Sequence, residues 1–235
     1  MKTFISILIS IAIITLIVAC NSEEESTTEV VILHDITDTH IAQPDTQEIL
    51  SLFHIQNKWN GGVFYFTDLT DVSYNQTKQA KLEPRNEWIS NEFDREKEIK
   101  KFKEEIAEII KNETMGNTEK TNSAIYLPIA RELNKLKNSK AQRRILVVYS
   151  DLMENTETLT FYKKDDFEQL KINPKQIKEA FEKQATLDSL NGIEVYFIYQ
   201  PAENNSDQKF QILSGFYKKL LEDKGAKVII SANLE

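Results

Sequence analysis

The sequence predicts a doubly wound α/β fold: a mostly parallel central sheet of about six strands with helices on both faces. Three observations lead there. Short, continuous apolar runs such as Val30-Val31-Ile32-Leu33 and Ile145-Leu146-Val147-Val148-Tyr149 read as strands buried on both faces. These runs alternate with segments of helical apolar spacing. No Pro/Gly/Ser-rich linker and no internal repeat divides residues 29–235, so they read as one domain.

In chain order, Val30–Leu33 is the first strand. Residues 45–58 follow as a helix, with Ile49, Leu52, Phe53 and Ile55 on its apolar face. Gly61-Gly62 breaks the chain before Val63–Phe66, with Tyr65 opposite Phe64 and Phe66. The more polar residues 72–82 read as an antiparallel edge strand. A helix over 94–111 carries Ile99, Phe102, Ile106 and Ile109 on one stripe, with Asp94 as its N-cap. Residues 115–121 read as a loop. The next helix runs to about Leu136, with Ile125, Ile129, Leu133 and Leu136 facing the core and Pro128 near its start. After the strand at 145–149, Lys163-Lys164-Asp165-Asp166 reads as a solvated loop. Residues 174–190 read as a helix with Pro174 near N1. A strand over 193–199, a helix over 207–223 and a strand over 227–230 complete the pattern, with Gly225 as a helix-ending residue. Trp59 and Trp88 lie outside these strands and read as helix-packing anchors, with a place in an interface as the alternative.

Composition bounds function. Of 235 residues, 40% are hydrophobic and 28% charged, the balance of a globular protein. A net charge of −8 argues against nucleic acid as a partner, because phosphate binding needs a basic surface. One Cys and three His leave no Cys-based zinc spacing and no disulfide framework.

The single Cys has a position that explains it. Lys2 is followed by a short apolar stretch, Phe4 to Ala19, before a small-residue site, which reads as a signal peptide more than as a membrane span, with an ordinary N-terminal anchor as the alternative. It ends Leu16-Ile17-Val18-Ala19-Cys20, which resembles a bacterial lipobox. The resemblance implies a signal peptide over 1–19, removal of that peptide, and lipidation of Cys20. Loss of Lys2 with the leader takes the formal charge from −8 to −9. Residues 20–28 then form an acidic tether. Its Asn21-Ser22-Glu23-Glu24-Glu25-Ser26 run resembles a surface-export signal of some Gram-negative lipoproteins, which implies an outer-membrane location, on the outward face. The acidity favours a domain held off the lipid by its tether.

In a doubly wound sheet, ligands bind beyond the carboxyl ends of the strands. There the sequence places His34-Asp35-Ile36-Thr37-Asp38-Thr39, Thr121-Asn122-Ser123 and Ser150-Asp151-Leu152-Met153-Glu154. Carboxylates and hydroxyls are hard donors suited to Mg2+, Mn2+ or Ca2+. These three loops resemble the metal-ion-dependent adhesion site of the von Willebrand factor A (vWA, integrin I-like) family. Asp35-x-Thr37-x-Thr39 stands where that family has Asp-x-Ser-x-Ser, with each Ser replaced by Thr. Thr121 and Asp151 stand at the second and third loops. The resemblance covers about residues 29–233. It implies a Rossmann-like vWA fold, a divalent cation (Mg2+, or Mn2+ or Ca2+) held by Asp35, Thr37, Thr39, Thr121 and Asp151, and a protein partner that completes the coordination with an acidic side chain. It implies binding, not catalysis, with the lipid anchor as the sole membrane contact.

Competing readings are simpler. Asp35 alone reads as a turn cap, and a metal-free vWA-like structural or assembly subunit needs no cation. A phosphohydrolase on a similar sheet needs a second Asp two residues after the first, as general acid, and Thr37 occupies that place. His34 reads as a packed strand-end residue, Glu154 as a solvent-facing loop carboxylate with reach to the metal edge as the alternative, and Asp68 and Asp71 as turn residues.

Overall fold

The computed structural model describes residues 26–37, 41–69, 76–114, 123–200 and 204–234. Cys20, Thr39 and Thr121 lie outside the described residues, as do His40, Asp71 and the 115–121 loop. Six strands form one sheet: β1 (Thr27–Asp35), β2 (Gly61–Leu69), β3 (Thr77–Leu82), β4 (Arg143–Tyr149), β5 (Ile193–Ile198) and β6 (Lys227–Ser231). Their order is β3-β2-β1-β4-β5-β6. Only the β2–β3 pairing is antiparallel; the other four are parallel. The doubly wound α/β fold and the antiparallel edge strand are as the sequence predicts.

Six helices are described: α1 (Thr46–Ser51), α2 (Glu92–Thr114), α3 (Tyr126–Lys137), α4 (Lys164–Ile172), α5 (Pro174–Gln184) and α6 (Asn204–Glu222). Strand alternation sorts the core into two layers. One sheet face presents Val30, Ile32 and His34 in register with Phe64, Phe66 and Asp68. There the Phe53 ring, just after α1, meets Phe64 at 6.4 Å and Phe102 of α2 at 5.2 Å. The opposite face presents Val31, Leu33 and Asp35 beside Leu146 and Val148. On that side Tyr126 of α3 stacks on Phe181 of α5 at 4.2 Å, and Tyr217 of α6 packs on Phe197 of β5 at 5.8 Å. Helices therefore cover both faces.

Several boundaries differ from expectation, each for a local reason. The first helix is six residues long, not fourteen, because His54 turns into the left-handed region at φ 48. The helix expected over 94–111 begins earlier, at Glu92. Asn91, not Asp94, caps it, with its side-chain oxygen accepting from the Phe93 and Asp94 N–H groups. α5 stops at Gln184; Leu187 and Leu190 are buried from an extended segment that mimics helical spacing. The Lys163–Asp166 stretch is not a loop but opens α4, which buries Phe167 and Leu170. β1 begins at Thr27, inside the stretch read as tether. Trp88 anchors no helix: it is 86% exposed.

One buried cation organises the amino edge of the sheet. Arg95 of α2 is 1% exposed. Its guanidinium donates to the carbonyls of Lys58 at 2.5 Å, Glu83 at 2.8 Å and Asn60 at 2.6 Å. The Asn60 side chain accepts from the Ser26 N–H at 3.2 Å, so the start of the described chain is tied to the same hub.

Candidate functional site

The site is built at the carboxyl ends of β1 and β4, on the sheet face that carries α3. Asp35 is the last residue of β1, and the strand's pleat aims its carboxylate into that face. It is 1% exposed. Oδ1 accepts from the Thr37 N–H at 3.0 Å and the Thr37 hydroxyl at 2.6 Å. Oδ2 accepts from the Ser150 hydroxyl at 2.9 Å and the Ser123 hydroxyl at 3.3 Å. Three loops distant in sequence thus converge on one carboxylate.

The loop after β4 is shaped around this contact. The Leu152 N–H donates to Ser150 Oγ at 2.9 Å, and the Met153 N–H donates to Asp151 Oδ1 at 2.9 Å. Leu152 sits at φ 63, a left-handed conformation that a branched residue adopts only where its surroundings over-determine it. Here the burial of its side chain does so. Ser123 pairs its backbone with Asn155 in both directions, at 3.2 and 2.7 Å, which sets the second loop against the third.

Glu154 is a site residue that sequence reasoning misplaced. It is buried, not solvent-facing. Its Oε2 accepts from the Ile125 N–H at 3.0 Å and the Tyr126 N–H at 2.9 Å, capping α3. That helix has Ile125 at its N-cap and no side-chain cap of its own, so a carboxylate from another loop satisfies its free N–H groups. The apolar residue at the cap position was the available signal. Glu154 Oε1 has no hydrogen-bond partner among the described residues. Burial pushes the Glu154 carboxyl up to about 7; the two backbone N–H donors oppose the shift and the Asp35 charge adds to it.

A second polar pair lies on the other face. His34 is 2% exposed, as a packed strand-end residue should be, and its Nδ1 lies 3.1 Å from Asp68 Oδ1. Asp68 is therefore not a turn residue: it sits within β2 as the partner of His34. Burial and the neighbouring Asp68 carboxylate raise the Glu113 carboxyl above its ordinary range, against the pull of Lys78.

Of the five residues expected to hold a cation, Asp35 and Thr37 are in direct contact, and Asp151 lies in the adjoining loop. Ser123 and Ser150 reach Asp35 although neither is among the five. Among the described residues, no group of three or more His, Cys, Asp or Glu side chains is arranged to hold a metal ion. The donor chemistry nonetheless fits a hard cation. Asp35 is buried, a second carboxyl lies close enough to feel its charge, and no Lys or Arg among the described residues pairs with it. Buried carboxylates of this kind are stabilised by a cation, by saturating hydrogen bonds, or by protonation of one partner.

Compared with known proteins, the chain matches no family model and no curated protein.

Proposed function

We propose that this chain is a lipid-anchored envelope protein whose vWA-like domain binds a protein partner at the carboxyl-edge loops. In this reading Cys20 carries the lipid, at the outer membrane and on its outward face. The reading rests chiefly on Asp35, a buried carboxylate on which the loops after β1 and β4 and the loop before α3 converge, with no cationic side chain paired to it among the described residues. A divalent cation, Mg2+ first and Mn2+ or Ca2+ otherwise, is held by Asp35, Thr37, Thr39, Thr121 and Asp151. Oxygen donors with few charges leave such an ion electrophilic, and an acidic side chain of the partner completes its sphere. No bond is made or broken, so the domain works by binding, not catalysis.

Isothermal titration with Mg2+ and Mn2+ tests the cation. The wild-type chain gives saturable heat and Asp35→Ala gives none; a flat wild-type titration refutes the metal. Capture of envelope proteins with and without chelator tests the partner, which is retained only when metal is present.

One observation favours a second reading. Four protein donors already saturate both Asp35 oxygens. In that arrangement the carboxylate ties three loops together without metal, and the domain serves as a structural or assembly subunit. Chelator-insensitive capture of the same partner distinguishes it.

A further inference from the structure

Three large apolar side chains stand in solvent on one short stretch: Trp88 at 86% exposure, Ile89 at 87% and Phe93 at 64%. A single exposed apolar residue is ordinary, but a contiguous group marks a contact surface. The group is held firmly. Arg85 N–H donates to the Trp59 carbonyl at 3.0 Å, Trp88 N–H donates to Asn86 Oδ1 at 3.0 Å, and Asn91 caps α2 beyond it. The buried Arg95 guanidinium holds the carbonyl of Glu83 at the stretch's start.

Its place in the fold says what covers it. The same Arg95 hub holds Asn60, whose side chain accepts from Ser26. Gly61 N–H donates to the Ser26 carbonyl at 2.9 Å. A methyl group on Gly61 would meet both Pro84 Cδ at 2.8 Å and Thr27 Oγ1 at 2.9 Å. The apolar stretch therefore adjoins the point where the chain arrives from Cys20. Five residues separate Cys20 from Ser26, six steps along the chain with a reach of at most roughly 20 Å. The Asp35 cluster lies at the other end of the nine-residue β1, roughly 26 Å from Thr27 at strand spacing.

We infer that Trp88, Ile89 and Phe93 seat the domain in the interfacial layer of the lipid bilayer to which Cys20 is attached. This rests on the lipid anchor of the proposed function and adds an orientation to it. Trp is favoured at the boundary between hydrocarbon and water, where its ring is buried and its N–H stays wet. Most acidic groups around the stretch are paired, which limits the charge that opposes the seating; Glu87, exposed beside Trp88, is the exception. Glu92 pairs with Lys58, Glu83 with Lys81 at 2.7 Å and Glu98 with Arg85 at 2.9 Å. Lys97 Nζ sits 4.0 Å from the centre of the Phe93 ring. The contact is apolar, so it requires no anionic lipid. In place of a domain held off the surface by its tether, the amino edge rests on the lipid and the Asp35 loops face away from it.

Among the described residues the hydrophobic core runs from Val30 to Leu234, and a chain starting at Cys20 keeps all of it. With Trp59→Phe, Trp88 is the sole Trp, and Cys20 is the sole Cys. This chain is coupled through Cys20 to a maleimide-headgroup lipid in phosphatidylcholine vesicles, with or without bromine on the upper acyl carbons. Trp88 emission shifts to the blue and is quenched about twofold by bromine. Ile89→Ser with Phe93→Ser reduces the quenching and leaves the circular dichroism and thermal unfolding unchanged. Emission indifferent to bromine overturns the inference. So does a dimer, seen by sedimentation, that Trp88→Ser dissolves, because a second copy then covers the patch. The native anchor is read separately, from the mass of the N-terminal peptide of membrane-extracted protein. An unmodified Cys20 overturns the anchored reading, whereas unquenched Trp88 overturns the seating.

Discussion

Ser150 donates its hydroxyl to Asp35 Oδ2 at 2.9 Å, joining the end of β4 to the end of β1 across 115 positions of sequence. The bond is buried and its acceptor is a carboxylate, so it belongs to the stronger class of hydrogen bonds. Ser150→Ala removes it and also frees the Leu152 N–H that Ser150 Oγ accepts. The expected loss of stability is about 1.5–3 kcal/mol, read as a lower urea midpoint at unchanged m. Ser123→Ala, whose bond is longer at 3.3 Å, costs less.

Glu154 makes stability depend on pH in an unusual direction for a carboxyl. Its folded value is about 7 against an ordinary 4.5. Between these values the folded chain binds more protons than the unfolded chain, so stability falls as pH rises. This contribution is fully present below about pH 4.5 and lost by about pH 7. At 1.36 kcal/mol per unit it amounts to about 3 kcal/mol. Glu154→Gln keeps an acceptor for the Ile125 and Tyr126 N–H groups and removes the titration. The variant is flatter than wild type in chemical unfolding from pH 4.5 to 7.5, and more stable than wild type at the upper end.

Arg95 satisfies three backbone carbonyls that the fold has taken out of water. An ammonium on a flexible stem cannot reproduce that planar fork. Arg95→Lys is expected to cost about 2–4 kcal/mol through the carbonyls left unpaired. Limited proteolysis locates the damage, with faster cleavage between residues 83 and 91 than in wild type.

Gly62 lies against the aromatic layer beneath α2. A methyl group there would stand 2.8 Å from Phe53 Cδ1 and 2.9 Å from Phe102 Cζ. Both rings are buried, so neither moves freely. Gly62→Ala is expected to destabilise by about 1–3 kcal/mol through overpacking. Phe102→Leu in the same chain recovers part of the loss, measured by thermal unfolding.

Apolar periodicity made the sheet and most helices legible, because the residues that build β1, β4 and the stripe through Phe102 and Ile106 are apolar for one reason only: burial. Where a side chain is buried from irregular backbone, the same signal misleads, as at Phe53, Leu187 and Leu190. α4 escaped notice because its first turn is charged and only two of its residues reach the core. At the site, Asp35 and its hydroxyl neighbour Thr37 were legible from position at a strand end. Ser150 was not singled out, since a Ser after a strand carries no signal until the strand's pleat is known. Glu154 was misread because its burial depends on α3 lacking a cap, a relation between two segments 29 positions apart.

β1 is paired along its length with β2 on one side and β4 on the other, and it runs from the Ser26 edge to Asp35. A pull on the amino end of β1 against the carboxyl end of β4 slides two parallel strands past each other. Their hydrogen-bond ladder is then strained in shear and its bonds must give way together, whereas a hairpin peeled from its end yields one bond at a time. The molecule is accordingly stiff in the direction that joins its amino edge to its carboxyl-edge loops. Single-molecule extension between residues 26 and 150 should meet a higher rupture force than extension that peels the β2–β3 edge.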